Sequence, residues 1–173
     1  MVVNEMSRTP YISKTKFLQG LQCPKLLWSA YNAKHLFPEV DDALQAVFDQ
    51  GHEVGAFAKR LFPHGIEIDT DPADFEGAIR LTQWALPLRH PIFEATFSAN
   101  GGYARADIPN PVGKNEWDII EVKSTTGLKD VHIPDLAFQV AAGNSTAYRS
   151  PNQQHIIDPD RCRPNRRKAG GPA

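Results

Sequence analysis

Residues 117–126, WDIIEVKSTT, place a carboxylate and an ammonium, Glu121 and Lys123, two positions apart in a run of β-branched residues. Side chains on a strand alternate between faces, so these two point the same way and Val122 points the opposite way to pack the core. Taken alone, the pair reads as an ordinary ion pair on a solvated face. Three further residues give it a second reading: His52 in QGHEVG, Asp107 in YARADI and Gln139 in DLAFQ. Asp107 and Glu121 on neighbouring strands would offer the hard oxygens that Mg²⁺ or Mn²⁺ takes, and the backbone carbonyl of Val122 would be a further ligand. An imidazole from His52 would favour Mn²⁺, because nitrogen donors suit the softer transition ions. A cation there would acidify bound water and offset the charge of a phosphate, while Lys123 orients the water or holds the phosphodiester oxygen. Each residue also has a plainer role. Asp107 follows a hairpin turn and suits one. His52 stands beside Phe48 at helical spacing, on the rim of an apolar face.

The elements that must position these groups follow from capping and periodicity. Ser13 can cap a helix over SKTKFLQGL, and Pro24 suits the first turn of a second helix, CPKLLWSAY, with Cys23 at its start. DDALQAVFDQGHEVGAFAKRLF repeats apolar residues at Leu44, Val47, Phe48, Val54, Phe57, Ala58, Leu61 and Phe62, an amphipathic helix that ends near Pro63. DTDPADFEGAIRLTQWAL reads as another, with Asp71 as its cap and Pro72 at its first position. The period then shortens. PIFEATFSAN and GGYARADI form a hairpin about a Gly-rich turn, NEWDIIEVKST is the next strand, and IPDLAFQVAAG is a last helix with Asp135 and Gln139 four apart.

After Gly143 the periodicity stops. Residues 144–173 hold six Arg or Lys against two Asp, whereas the first 143 carry 13 against 18. This basic, Pro- and Arg-rich stretch reads as a disordered tail, with QQHIID at best a short strand. The chain has 173 residues with 41% apolar and 23% charged, the composition of one globular domain. No apolar run nears the roughly 20 residues that cross a bilayer. The first ten residues lack the pattern of a signal peptide, so the expected location is the cytoplasm and no membrane partner is expected. Two distant cysteines, Cys23 and Cys162, make no disulfide framework.

The order of these pieces — helix with His52, hairpin ending in Asp107, strand with Glu121-x-Lys123, helix with Gln139 — resembles the PD-(D/E)XK nuclease superfamily. The match falls in its RecB-like branch, which includes the CRISPR-associated exonucleases. The opening YISKTKFLQGLQCPKLLW together with QGHEVG is most similar to an uncharacterised bacterial RecB-like family, carried as a domain of unknown function. The resemblance implies an α+β fold with a restriction-endonuclease-like core. A helical N-terminal part, residues 10–86, would precede a catalytic, mixed or antiparallel sheet over residues 90–143, flanked by helices. The implied activity is metal-dependent hydrolysis of phosphodiester bonds in DNA, single- or double-stranded, with Mg²⁺ or Mn²⁺ as cofactor. His52, Asp107 and Glu121 would hold the metal, Lys123 would assist the water, and Gln139 would contact substrate or steady the strand. Glu94 matches an acidic position of the first strand.

Two departures stand beside the likeness. Relatives of this kind bind an iron–sulfur cluster through one N-terminal and three C-terminal cysteines, and Cys23 sits where the first ligand would be. A four-iron cluster takes four thiolates and this chain has two cysteines, so Cys23 is expected to be a vestigial ligand, now a buried free thiol. The Gln-x-x-x-Tyr of the last helix has Gly143 in place of the tyrosine, and the strand beyond it is not evident. The chain thus reads as C-terminally truncated, its last 30 residues a frameshifted or foreign tail that leaves the sheet an open edge. An inactive remnant of such a nuclease, or a nucleic-acid-binding module, is the alternative. A structural protein whose Glu121-x-Lys123 is only an ion pair stands behind both.

Overall fold

The computed structural model describes residues 11–124 and 129–143, together with the backbone of 155–157. The fold is α+β. A two-residue strand β1 (Ile12–Ser13) leads into helices α1 (Lys14–Gln22) and α2 (Pro24–Asn32), then α3 (Asp42–Lys59), strand β2 (Ile66–Glu67) and helix α4 (Phe75–Ala85). Strands β3 (Ile92–Phe93), β4 (Ala95–Ala99), β5 (Gly102–Ala106), β6 (Ile108–Val112) and β7 (Glu116–Val122) follow, then α5 (His132–Gly143) and β8 (His155–Ile157). Among the described residues no helix is long and apolar enough to cross a membrane.

The strands form three small sheets, β1-β5-β4, β2-β3 and β6-β7-β8. The β4–β5 hairpin turns on two residues, Asn100 and Gly101, both at positive φ (50° and 75°), the mirror-image turn whose twist matches the strands it joins. Strand β6 reads IPNPV, and its two prolines hid it from a reading by pattern. Among the described strands it lies at a sheet edge, where a proline can turn its missing N–H away from the partner strand.

The core lies where α4 and α5 cover β4, β5 and β7. Phe97, Ile92 and Ile119 are fully buried there. Thr82 fastens α4 to the sheet. Its hydroxyl donates to the Ala78 carbonyl at 2.8 Å and accepts from the Thr96 N–H at 2.9 Å. Phe17 of α1 stacks on Phe138 of α5 with centroids 4.7 Å apart, which brings the N-terminal helix against the end of β7.

Caps follow the chemistry of the short acids and hydroxyls. Ser13 Oγ accepts from Lys16 N, and Asp41 Oδ1 accepts from Leu44 N. The cap expected at Asp71 belongs instead to Asp74, which accepts from Gly77 N at 2.8 Å, and α4 begins at Phe75. Asp71 accepts from Ala73 N, two residues on, and closes a tight turn around Pro72 that the helix cannot include.

Three other expectations are corrected. The edge of β7 is not left open, because β8 runs parallel along it with Ile120 opposite His155 and Val122 opposite Ile157. A β-branched pair after a histidine is enough to extend a strand that already offers its backbone groups. The rest of the expected tail, with Cys162, lies outside the described residues. Cys23 is exposed rather than buried, because it is the extended N-cap residue at the turn between α1 and α2. Finally, α3 is present as a helix, but Leu44, Val47 and Phe48 are exposed and only Ala58 is buried. Its C-terminal half alone meets the sheet, through Ala58 against Phe93, Ile108 and Ile120.

Candidate active site

The site forms where the strands change sheet. Asp107 is the residue between β5 and β6, and Glu94 is the residue between β3 and β4. The Glu94 N–H donates to the Asp107 carbonyl at 3.0 Å, so the two corners are tied to each other. Glu94 holds a left-handed backbone, φ 59°, which costs a non-glycine residue about 1 kcal/mol. Strain of this kind persists where surroundings impose it, and here it marks a corner that turns a carboxylate outward.

From that corner Glu94 and Asp107 face a cleft of about 420 Å³, whose opposite wall is α3 with Gly51, His52, Gly55, Ala56 and Lys59. Val122 also lines it. His52 therefore stands on the cleft and is exposed, not turned into the core. Lys59 holds Glu67 at 2.7 Å and reaches Glu94 only at 3.9 Å. Burial pushes both carboxyls up. For Glu94, Lys59 and Arg105 pull the other way without prevailing. Asp107 is pushed up to about 7, by burial first and the negative charge of Glu121 second, against the restraining Val122 N–H at 2.7 Å.

Register explains why Asp107 feels Glu121. Ile108 pairs with Ile120 in the antiparallel β6–β7 ladder, and the next step along both chains sets Asp107 against Glu121. Glu121 nonetheless looks away from the cleft. Its side chain is 2% exposed and lies among charges from α1 and α5. Lys123 Nζ lies 2.5 Å from Glu121 Oε1 and 2.8 Å from Asp135 Oδ2. Lys14 Nζ lies 3.2 Å from the same Glu121 oxygen and 3.1 Å from Asp135 Oδ1. Gln139 Nε2 donates to Glu121 Oε2 at 2.7 Å and to Asp135 Oδ1 at 3.1 Å. Among the described residues, Gln139 Oε1 is buried without a hydrogen-bond partner.

Burial alone would lower both ammoniums. The carboxylates of Glu121 and Asp135 outweigh it and push Lys14 and Lys123 up. Burial likewise works to raise Asp135, but Lys14 and Lys123 bring it below the usual carboxylate range. Lys123 is therefore a fixed cation. It can donate hydrogen bonds and stabilise negative charge, and it cannot serve as a general base near neutral pH.

The residues singled out from sequence thus divide into two groups. Glu121, Lys123 and Gln139 meet in one network, while His52, Glu94, Asp107 and Val122 meet on one cleft, and Asp107 joins the two. Lys14 and Asp135 were not anticipated as site residues. Asp135 could have been found from its four-residue spacing to Gln139; Lys14 could not, since it lies 107 positions from Glu121. Among the described residues no group of three or more His, Cys, Asp or Glu side chains stands where it could together hold a metal ion. The donor types that a divalent cation takes are present, but they are not gathered about one point among the described residues. Two carboxyls made costly by burial and an exposed imidazole share one cleft, and a third carboxyl lies behind it. Comparison with protein-family models, curated proteins and solved structures returned no match.

Proposed function

We propose that the chain is a metal-dependent nuclease that hydrolyses phosphodiester bonds in DNA, working in the cytoplasm. The observation that carries this reading is the register of β6 on β7. It sets Asp107, which lines the cleft, opposite Glu121, which lies behind it in contact with the fixed ammonium of Lys123. The likeness of His52, Asp107, Glu121-x-Lys123 and Gln139 to the PD-(D/E)XK signature supports it.

Asp107 and Glu121 would hold Mg²⁺ or Mn²⁺, with His52, Glu94 and the Val122 carbonyl as further donors. Such an ion supplies the positive charge that offsets a phosphate and acidifies a water. The chain's own residues do the rest. Asp107 is kept in place by the Val122 N–H. Lys123 is held by two carboxylates, so its free proton points are set in direction before substrate arrives. Gln139 ties Glu121 to α5 and so fixes the end of β7. The α3 wall, with two glycines, leaves room for a strand against the helix.

The test is cleavage of linear DNA with Mn²⁺ or Mg²⁺ by the wild-type chain and by Lys123→Ala and Asp107→Ala. Cleavage should require the metal and fall at least about a hundredfold in each variant, the cost of removing a preorganised charge. Cleavage that persists unchanged in both would sink the site. Metal binding with no cleavage by the wild type would instead identify an inactive member of this lineage. That second reading has one observation in its favour, namely that Glu121 is closed in by two ammoniums.

A further inference from the structure

We propose that a second cavity takes one base of a single-stranded nucleic acid, with the strand's phosphates on the lysines beside it. The cavity holds about 550 Å³, the size of a pocket for one small ligand, and lies where the sheet β1-β5-β4 meets the first turns of α1 and α4. It shares no lining residue with the cleft.

Register builds its floor. Tyr103 of β5 pairs with Ser13 of β1 on one side and with Ser98 of β4 on the other. The three therefore stand in one row across the sheet, and all three line the cavity. Phe75, the first residue of α4, meets Tyr103 edge to face with ring centroids 4.5 Å apart. Such a contact covers at most one face of one ring, so flat faces remain. Phe75 stays 49% exposed, and Tyr11, just before β1, stays 62% exposed. Aromatic faces left in water around a cavity are what an unpaired base stacks on.

Charge supplies the rest. Residues 11–38 hold Lys14, Lys16, Lys25 and Lys34 and no Asp or Glu, in a chain whose formal net charge is −1. Lys14 is paired with Glu121 and Asp135. Lys16 lines the cavity and, with Lys34, a neighbouring hollow of about 330 Å³ that also shares Ser13. The Lys16 Nζ donates to the Ala30 carbonyl at 3.2 Å and sits 3.8 Å from the centre of the Tyr31 ring. These contacts hold the ammonium in place and leave it further protons to donate. At the α4 end stands Glu76, which repels a phosphate and accepts from an amino group of a base. The base thus lies toward α4 and the phosphates toward α1. A duplex keeps its bases stacked on one another and offers none to the cavity.

The experiment follows binding of a fluorescein-labelled single strand about 12 nucleotides long to the full chain by fluorescence anisotropy, at pH 7 with EDTA present. Phe75→Leu keeps apolar bulk and removes a stacking face, and it should weaken binding about tenfold, as should Tyr11→Ala. Phe75→Trp should stay within about twofold of wild type, which a role in packing alone would not predict. Lys34→Gln should flatten the dependence of log affinity on log salt by about 0.7. Trp84→Leu removes an exposed ring of α4 that does not line the cavity and should leave binding unchanged. The matching duplex should bind at least about tenfold more weakly than the single strand. Equal affinity for the duplex overturns the proposal, as does wild-type affinity in both Phe75→Leu and Tyr11→Ala. Absence of wild-type binding at about 100 μM, the weak end of non-specific binding, overturns it as well. An unchanged salt slope in Lys34→Gln overturns the placement of the phosphates. Circular dichroism checks that each variant folds, and should Phe75→Leu not fold, Tyr11→Ala decides. Because EDTA removes free metal ions, none of these outcomes bears on metal-dependent cleavage at the cleft, and the two readings fail separately.

Discussion

The two sides of the end of β7 carry similar residue types in opposite electrostatic states. Toward α1 and α5, the charges of Glu121, Lys123, Lys14 and Asp135 are matched at 2.5–3.2 Å. Toward α3, Glu94 has one cation at 3.9 Å, and Asp107 has a backbone N–H and the repulsion of Glu121. A matched buried network mainly fixes geometry, and it is costly to break because each partner left behind stays buried. An unmatched pair of carboxyls does the reverse. Burial costs it the hydration of its charge, with no close cation in return, and so favours the neutral carboxyl. The chain thus places a rigid set of charges behind a vacancy of charge, with Asp107 at the boundary.

Breaking the matched side should have the larger effect on stability. Glu121→Ala leaves Lys14 and Lys123 with Asp135 as their shared partner and leaves Gln139 without its shorter hydrogen bond. Loss of a buried partner of this kind costs about 3 kcal/mol. Urea denaturation at pH 7 should show it, and a change within about 0.5 kcal/mol would mean that the network is solvated and does not fix geometry.

The unmatched side should respond with the opposite sign. An Asp at about 7 when folded and near 3.9 when unfolded binds more protons folded than unfolded between those values. Stability then falls as pH rises through that window, and the full cost is present above about pH 7. Asp107→Asn keeps an acceptor for the Val122 N–H and removes the charge. It should stabilise the metal-free chain by about 2 kcal/mol at pH 8, and by under half of that at pH 5. Asp135 runs the other way. Its lowered carboxyl contributes stability above the unfolded value near 3.9, and this is lost as pH falls through the lower folded value. Melting curves of wild type and Asp107→Asn from pH 4 to 9 check this. Equal melting points at pH 8 would place Asp107 in water rather than against Glu121.

Legibility from sequence followed the range of the interaction. The pairing of Glu121 with Lys123 is a two-residue alternation, and that of Asp135 with Gln139 is one helical turn, so both were visible. The hairpin at Asn100 and Gly101 announced itself by turn chemistry. What stayed hidden was non-local or too short for a period. Strands β1 and β2 have two residues each and exist through parallel pairing with β5 and β3. Strand β6 is disguised by Pro109 and Pro111, and β8 is three residues inside a stretch without periodicity. Gln139 was expected to contact substrate or steady the strand, and its amide ties Glu121 of β7 to α5; its second hydrogen bond, to Asp135, was not anticipated. The apolar stripe of α3 promised burial over its whole length, and the N-terminal half does not receive it.

The smallest effect sharpens the comparison on the cleft wall. Gly51 and Gly55 lie one turn apart inside the 18-residue helix α3, without the positive φ that would demand glycine. A Cβ on either would meet nothing within 4 Å, so packing within the chain does not require them. Each costs a helix about 1 kcal/mol relative to alanine, and both face the cleft opposite Asp107 and Glu94. Gly51→Ala and Gly55→Ala should each raise stability by about 0.5–1 kcal/mol, seen as a higher melting temperature. If DNA lies against this wall, the same methyls occupy its space, and cleavage should fall several-fold as stability rises. A rise in stability with cleavage unchanged would move the substrate away from α3 and leave His52 without a part in holding it.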